Sequence, residues 1–191
     1  PRPLFIDEKT PPLLESMERI PQGARILYVG NSEPYKNTDL LIQSLPILRA
    51  QIPRATLFAT WSPDHPACRR GDVVSLGYLQ GGALGKAYAL ADVLIQPSLV
   101  ETASLPVTEA MALGTPVLVA DRYYARDICE NAALFFDPRD ALHCAEQLRR
   151  LLSDRALRTR LVEAGTRLVQ RRMSQRPFQT MIESILEVAS V

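Results

Sequence analysis

Glu101 and Glu109 are separated by seven intervening residues in the stretch Gln96–Ala120, and Lys36 stands upstream in a polar loop. A carboxylate only accepts hydrogen bonds, so its natural small-molecule partner is a hydroxyl group, whereas a Lys ammonium only donates and suits a phosphate. Between the two carboxylates, Ser104 is of a type that caps a helix with its hydroxyl, and Pro106 tolerates a first-turn position. A helix starting there presents free backbone N–H groups and a partial positive charge, which together seat an anion such as a phosphate. Carboxylates flanking such a seat fit a ligand with a phosphate centre and hydroxyls on either side, the layout of a nucleotide sugar. On spacing alone a plainer alternative stays open, since glutamates in such loops, and a lone Lys, ordinarily face water.

The surrounding elements must hold these groups at one place. Asp92-Val-Leu-Ile-Gln96 reads as a buried strand ended by Pro97 and Ser98. A helix from about Ser104 to Leu113 follows, stopped by Gly114, and then a second apolar strand over residues 115–120. Upstream, residues 25–30, 55–60 and 73–77 are short apolar runs, and residues 132–136 form a sixth. Helical patterns separate them, one carrying Leu40, Leu41, Leu45 and Leu48 on a face after a cap at Asn37 or Thr38, with Pro46 inside it as a point of kinking. Strands alternating with helices at these spacings predict an α/β fold with a doubly wound parallel sheet. In such sheets ligands bind beyond the carboxyl ends of the strands, where Lys36 and Glu101 fall.

The division expected is an N-terminal lead-in or linker over residues 1–24 with a short helix near 11–19, a Rossmann-like domain over 25–172, and a C-terminal helix over 173–191. The chain of 191 residues begins Pro1-Arg-Pro without an initiator Met, which suggests a processed chain or an excised piece. Charges nearly balance, with 22 Lys and Arg against 21 Asp and Glu, so net charge points to no polyanionic partner and no nucleic acid. The Arg-rich helices of the last third read as a solvated basic face, with contact to an anionic membrane surface as the sharper alternative. Cys68, Cys129 and Cys144 lack paired spacing and are expected as free thiols in a reducing compartment, Cys129 and Cys144 packing as small apolar residues. His65 and His143 show no ligand pattern, so no metal site is expected. The absence of Gly-x-Gly-x-x-Gly and of a P-loop excludes the common dinucleotide and triphosphate fingerprints.

Pro97, Ser98, Glu101, Leu105, Pro106, Glu109-Ala-Met-Ala112 and Gly114-Thr-Pro-Val117 form a long ungapped pattern. It resembles the signature of the retaining GT-B glycosyltransferases of the "group 1" type. Gly30, Lys36, Asn37 and Leu40-Leu-Ile42 resemble that family's diphosphate-binding loop, and Gly77-Tyr78-Leu79 its base-lining segment. The resemblance covers roughly residues 25 to 172. It implies the nucleotide-sugar-binding half of a two-domain enzyme, with Glu101 on donor-sugar hydroxyls and Glu109 on the nucleotide ribose. Backbone amides from Thr102 to Leu105 would hold the diphosphate, with Lys36 opposite assisting the leaving group. No cofactor or metal is implied, and the acceptor, a glycan or lipid-linked, would be held by a missing N-terminal domain. The implied location is cytoplasmic, or peripheral at the inner face of a membrane.

Two departures bear on this. Asn31 stands where the family has Arg, so it offers amide groups and no charge. Thr102, Ala103 and Ser104 replace Gly-Phe-Gly, and their side chains are expected to narrow the sugar pocket, with the Ser104 cap competing with phosphate for the same N–H groups. A degenerate domain with a binding or scaffold role is therefore the alternative.

Overall fold

In the computed structural model, which describes residues 12–173, six strands form one sheet and seven α-helices flank it. The order along the chain is α1 (Pro12–Glu18), β1 (Arg25–Tyr28), α2 (Thr38–Arg49), β2 (Thr56–Ala59), β3 (Val73–Ser75) and α3 (Gly81–Leu90). Then come β4 (Val93–Gln96), α4 (Leu105–Ala112), β5 (Val117–Ala120), α5 (Tyr123–Cys129), β6 (Leu134–Phe136), α6 (Ala141–Ser153) and α7 (Arg155–Met173). The C-terminal helix expected over 173–191 lies beyond Met173 outside the described residues.

All strand pairs are parallel and the spatial order is β3-β2-β1-β4-β5-β6. The chain winds outward in one direction to β3, then returns to the middle and winds the other way. The turning point lies between β1 and β4, paired through Ile26↔Val93 and Leu27↔Leu94. This is the doubly wound arrangement of a Rossmann-like fold, and its crevice opens where the order reverses.

The strands are apolar on both faces because helices cover both. On one face Ile26, Tyr28, Leu57 and Ile95 pack with the α2 leucines and with Leu148, Leu151 and Leu152 of α6. On the other, Leu27, Phe58 and Leu94 pack with α1, α3 and α4. Helix α7 serves both, Leu157 and Leu161 on the first face and Leu168 and Val169 on the second. Leu14 and Met17 of α1 are fully buried, so this helix packs as part of the same unit. Asp92 ties the starts of β1 and β4 together: its carboxylate accepts from the Ala24 and Arg25 amides at 3.1 and 2.9 Å and from the Arg25 guanidinium.

Cys129 and Cys144 are buried and unpaired, one in each layer. Burial pushes both thiols up to about 12. Several of the arginines in the last third bond to the protein itself. Arg158 donates to the Leu151 and Leu152 carbonyls at the end of α6, and Arg172 to the Asp127 and Ile128 carbonyls near the end of α5. They satisfy helix-end carbonyls that would otherwise lack donors.

Candidate functional site

The loops after β1 and β4 meet at the turning point of the sheet. Gly30 follows β1 at φ 149°, with the Tyr28 ring beneath it. A Cβ at Gly30 would stand 3.0 Å from the Tyr28 hydroxyl, on a backbone conformation that other residues rarely adopt, so glycine suits this position. That hydroxyl donates to the Asn31 carbonyl at 2.6 Å, and the Gly30 amide donates to Thr60 Oγ1 at 2.9 Å. Asn31 folds its own Oδ1 back to accept from the Glu33 amide at 3.3 Å. A 3-10 turn over Pro34–Lys36 then aims Lys36 back across the strand ends.

Lys36 Nζ donates to Glu101 Oε1 at 2.6 Å, joining residues 65 positions apart. The pair is largely withdrawn from solvent, with side-chain exposures of 14% and 12%. Gln96, the last residue of β4 and fully buried, donates from Nε2 to the same oxygen at 2.7 Å and to Ser98 Oγ at 2.9 Å. The loop is pinned from both sides: the Leu99 amide donates to the Tyr35 carbonyl, Arg122 to the Leu99 carbonyl, and Tyr124 to the Ser98 carbonyl. Burial, then the Glu101 charge, push the Tyr28 and Tyr124 hydroxyls far up, which keeps both protonated as donors.

Glu109 is half-buried in α4, and Tyr88 of α3, itself buried, donates to its Oε2 at 2.7 Å. Burial first and Glu109 second push the Tyr88 hydroxyl well up. Both expected carboxylates therefore have fixed orientations, each gripped through one oxygen.

Ser104 differs from expectation. It occupies the N-cap position of α4, but at φ 42° and ψ 58°, and its hydroxyl makes no capping bond. A cap needs extended backbone to carry its oxygen over the free N–H groups; left-handed backbone turns the side chain away. The Ser104 Oγ is buried and finds no partner among the described residues. It therefore leaves the α4 N–H groups uncapped by its hydroxyl, while Thr102 and Ala103 beside it stand exposed. The same geometry defeats the expected Asn37 cap of α2: at φ 55° its amide instead donates to the Pro138 carbonyl at 2.9 Å. Leu105 begins α4 with its side chain partly exposed.

Gly77 sits after β3 at φ 65°, its amide donating to Ser75 Oγ at 3.1 Å. Tyr78 then projects into solvent, 85% exposed, and Leu79 turns into the core. Tyr78, Tyr35, Val100, Leu105 and Tyr123 are exposed large apolar side chains, and all follow the carboxyl ends of strands. Sequence reasoning passed over Gln96 and the donors around it. A Gln closing the otherwise apolar run Val-Leu-Ile was the available signal, since a polar side chain in a buried strand must find partners. No group of three or more His, Cys, Asp or Glu among the described residues could hold a metal ion. None of the described helices is long and apolar enough to cross a membrane.

Comparisons with known proteins bear on the family and the fold. The family profile "Glycosyl transferases group 1" matches residues 23–154. The sulfoquinovosyl transferase SQD2 of Arabidopsis thaliana is 34% identical over 158 residues, which cover 79% of this chain and 26% of that protein. The sucrose-phosphate synthase structure from Thermosynechococcus elongatus superposes with a TM-score of 0.69 at 25% identity, over 91% of this chain and 47% of the other. The C-terminal domain of a glycosyl transferase group 1 family protein from Francisella tularensis shares the fold, with a TM-score of 0.65 at 20% identity, over 86% of this chain and 92% of that domain. The chain thus spans about a quarter of the length of the plant relative and under half of the synthase. Sheet order and family profile converge: the chain belongs to the glycosyl transferases group 1 family, with the Rossmann-like α/β architecture of GT-B glycosyltransferases.

Proposed function

We propose that this chain is the donor-binding half of a retaining glycosyltransferase that moves a sugar from a nucleoside diphosphate to a glycan or lipid-linked acceptor, the acceptor being held by a separate N-terminal domain. The observation that carries the reading is the convergence of Lys36, Glu101 and the start of α4 at the turning point of the sheet. In this reading the diphosphate lies at the N-terminus of α4, against the amides of residues 102–105, with Lys36 donating from across the crevice. Glu101 Oε1 is already occupied, so Oε2 takes the sugar hydroxyls. Glu109 meets the ribose, and Gly77, Tyr78 and Leu79 border the base. Lys36 and the helix end then stabilise charge on the departing phosphate, the kind of fixed electrostatic help worth about 3 kcal/mol per donor. No metal or cofactor enters the reading. It places the chain in the cytoplasm or peripherally at a membrane, where the exposed arginines of α6 and α7 would meet anionic lipid.

SQD2 is a sulfoquinovosyl transferase by name, and another relative, from Escherichia coli, is an O-antigen chain mannosyltransferase, which supports the substrate class. A second reading, a scaffold domain that no longer binds donor, is favoured by Asn31, whose amide oxygen is spent on its own loop and which adds no charge beside Lys36. Calorimetric titration with UDP, GDP, ADP and their glucose or mannose conjugates separates the two. Donor binding predicts saturable affinity for one base, weakened by both Lys36→Ala and Glu109→Ala. Failure of every nucleotide to bind, with the chain folded, would favour the scaffold.

A further inference from the structure

Gln96 is a fully buried polar residue at the end of a strand of Val, Leu and Ile, and it never reaches the crevice surface. Its amide orientation is forced by its neighbours, since facing its oxygen to Glu101 would set acceptor against carboxylate. The nitrogen therefore donates to Glu101 Oε1 and Ser98 Oγ. The oxygen Oε1 is left buried without a partner among the described residues. An apolar residue of that size would remove this unpaired oxygen, so folding alone does not account for a Gln here.

The chemistry of the site supplies a reason. Lys36 and Glu101 neutralise each other as an ion pair. A donor needs both, one for phosphate and the other for hydroxyls, and Lys36 cannot give its shortest bond to two anions at once. When Lys36 turns to the diphosphate, Glu101 loses the one cation partner it has among the described residues. A neutral donor behind it keeps the carboxylate aimed without pulling on the phosphate. We propose that Gln96 is a positioning residue that holds Glu101 in line for the donor's sugar while Lys36 is engaged by the diphosphate, an inference that rests on the donor-site reading above.

The test compares the full chain with its Gln96→Leu and Gln96→Met variants, neither of which can donate. Each is titrated with UDP, UDP-glucose, GDP, GDP-mannose, ADP and ADP-glucose, and its melting temperature is recorded. A hydrogen bond to a charged group corresponds to a loss of roughly 10-fold or more. The expected result is that loss in affinity for the sugar conjugate, unchanged affinity for the bare nucleoside diphosphate, and a melting temperature no lower than that of the parent. Full retention of the sugar-dependent affinity in both variants would overturn the role of Gln96 and leave the donor-site reading standing. Equal loss for conjugate and diphosphate, with a lowered melting temperature, would make Gln96 a general structural residue and overturn it too. Failure of the parent chain to bind any of the six would overturn the donor-site reading and this inference with it.

Discussion

Replacing Ser104 by glycine should stabilise the protein. The residue sits at φ 42° and ψ 58°, where a Cβ crowds its own carbonyl. That conformation costs a non-glycine residue roughly 1–2 kcal/mol. Its hydroxyl is buried without a partner among the described residues, which costs roughly 1–3 kcal/mol more. Against this, glycine gives the unfolded chain extra freedom worth about 0.4–1 kcal/mol. The backbone bonds from the Val107 and Thr108 amides to the Ser104 carbonyl survive the change. Allowing for some relaxation around the lost hydroxyl, the net gain is about 2 kcal/mol. For a domain of this size that corresponds to a melting temperature higher by about 4–8 °C. Scanning calorimetry and urea unfolding should agree on the increase. Nucleoside diphosphate affinity should barely move, because the side chain points into the protein. A melting temperature equal to or below that of the parent would refute the account of strain at this turn. A large change in nucleotide affinity would refute the placement of the side chain.

Removing one partner of the Lys36–Glu101 pair should be costly, because both side chains are mostly buried. Lys36→Met is expected to lose about 3–5 kcal/mol in urea unfolding, and Lys36→Met with Glu101→Gln to recover much of it, a coupling that a double-mutant cycle reads directly. The thiols give a third expectation. Cys129 and Cys144 keep their protons up to about 12 in the folded state, against 9.0 for a free thiol, so the native protein holds more protons across that window. Stability should accordingly fall as pH rises from 9 towards 12. Iodoacetamide at mildly alkaline pH should label the partly exposed Cys68 while sparing the other two until unfolding, as peptide mapping by mass spectrometry would register.

The sheet was legible because its strands are short apolar runs bounded by Gly, Pro and Asp, and no competing pattern exists at 26–28, 93–96 or 117–120. All six strands fall inside the expected runs, which overran them by one or two residues where flanking apolar positions such as Val29 and Ala132 lie beyond the ladder. Residue type and position after the strand ends were enough to single out Lys36 and Glu101 as candidates, and place in the helix that follows was enough for Glu109. Their contacts were not legible. Gln96 and Tyr88 grip the two carboxylates through pairings that link different loops and helices, and no local spacing encodes a bond from position 88 to position 109. The caps failed for a related reason. Ser104 and Asn37 are good capping types, yet the path of each loop imposes left-handed backbone there, and tertiary placement overrides residue preference.

Gly165 of α7 lies so close to α4 that a Cβ there would stand 3.1 Å from Met111 Cγ. The inner face of α4, with Val107, Ala110 and Met111, shares its core with Leu168 and Val169 of α7. The family profile stops at residue 154, before α7 begins. The residues matched by the profile therefore leave out a helix that packs against α4. A fragment cut to the profile would bare the back of the helix that carries Glu109, so any exchange of this domain with others of its kind has to carry α7 along.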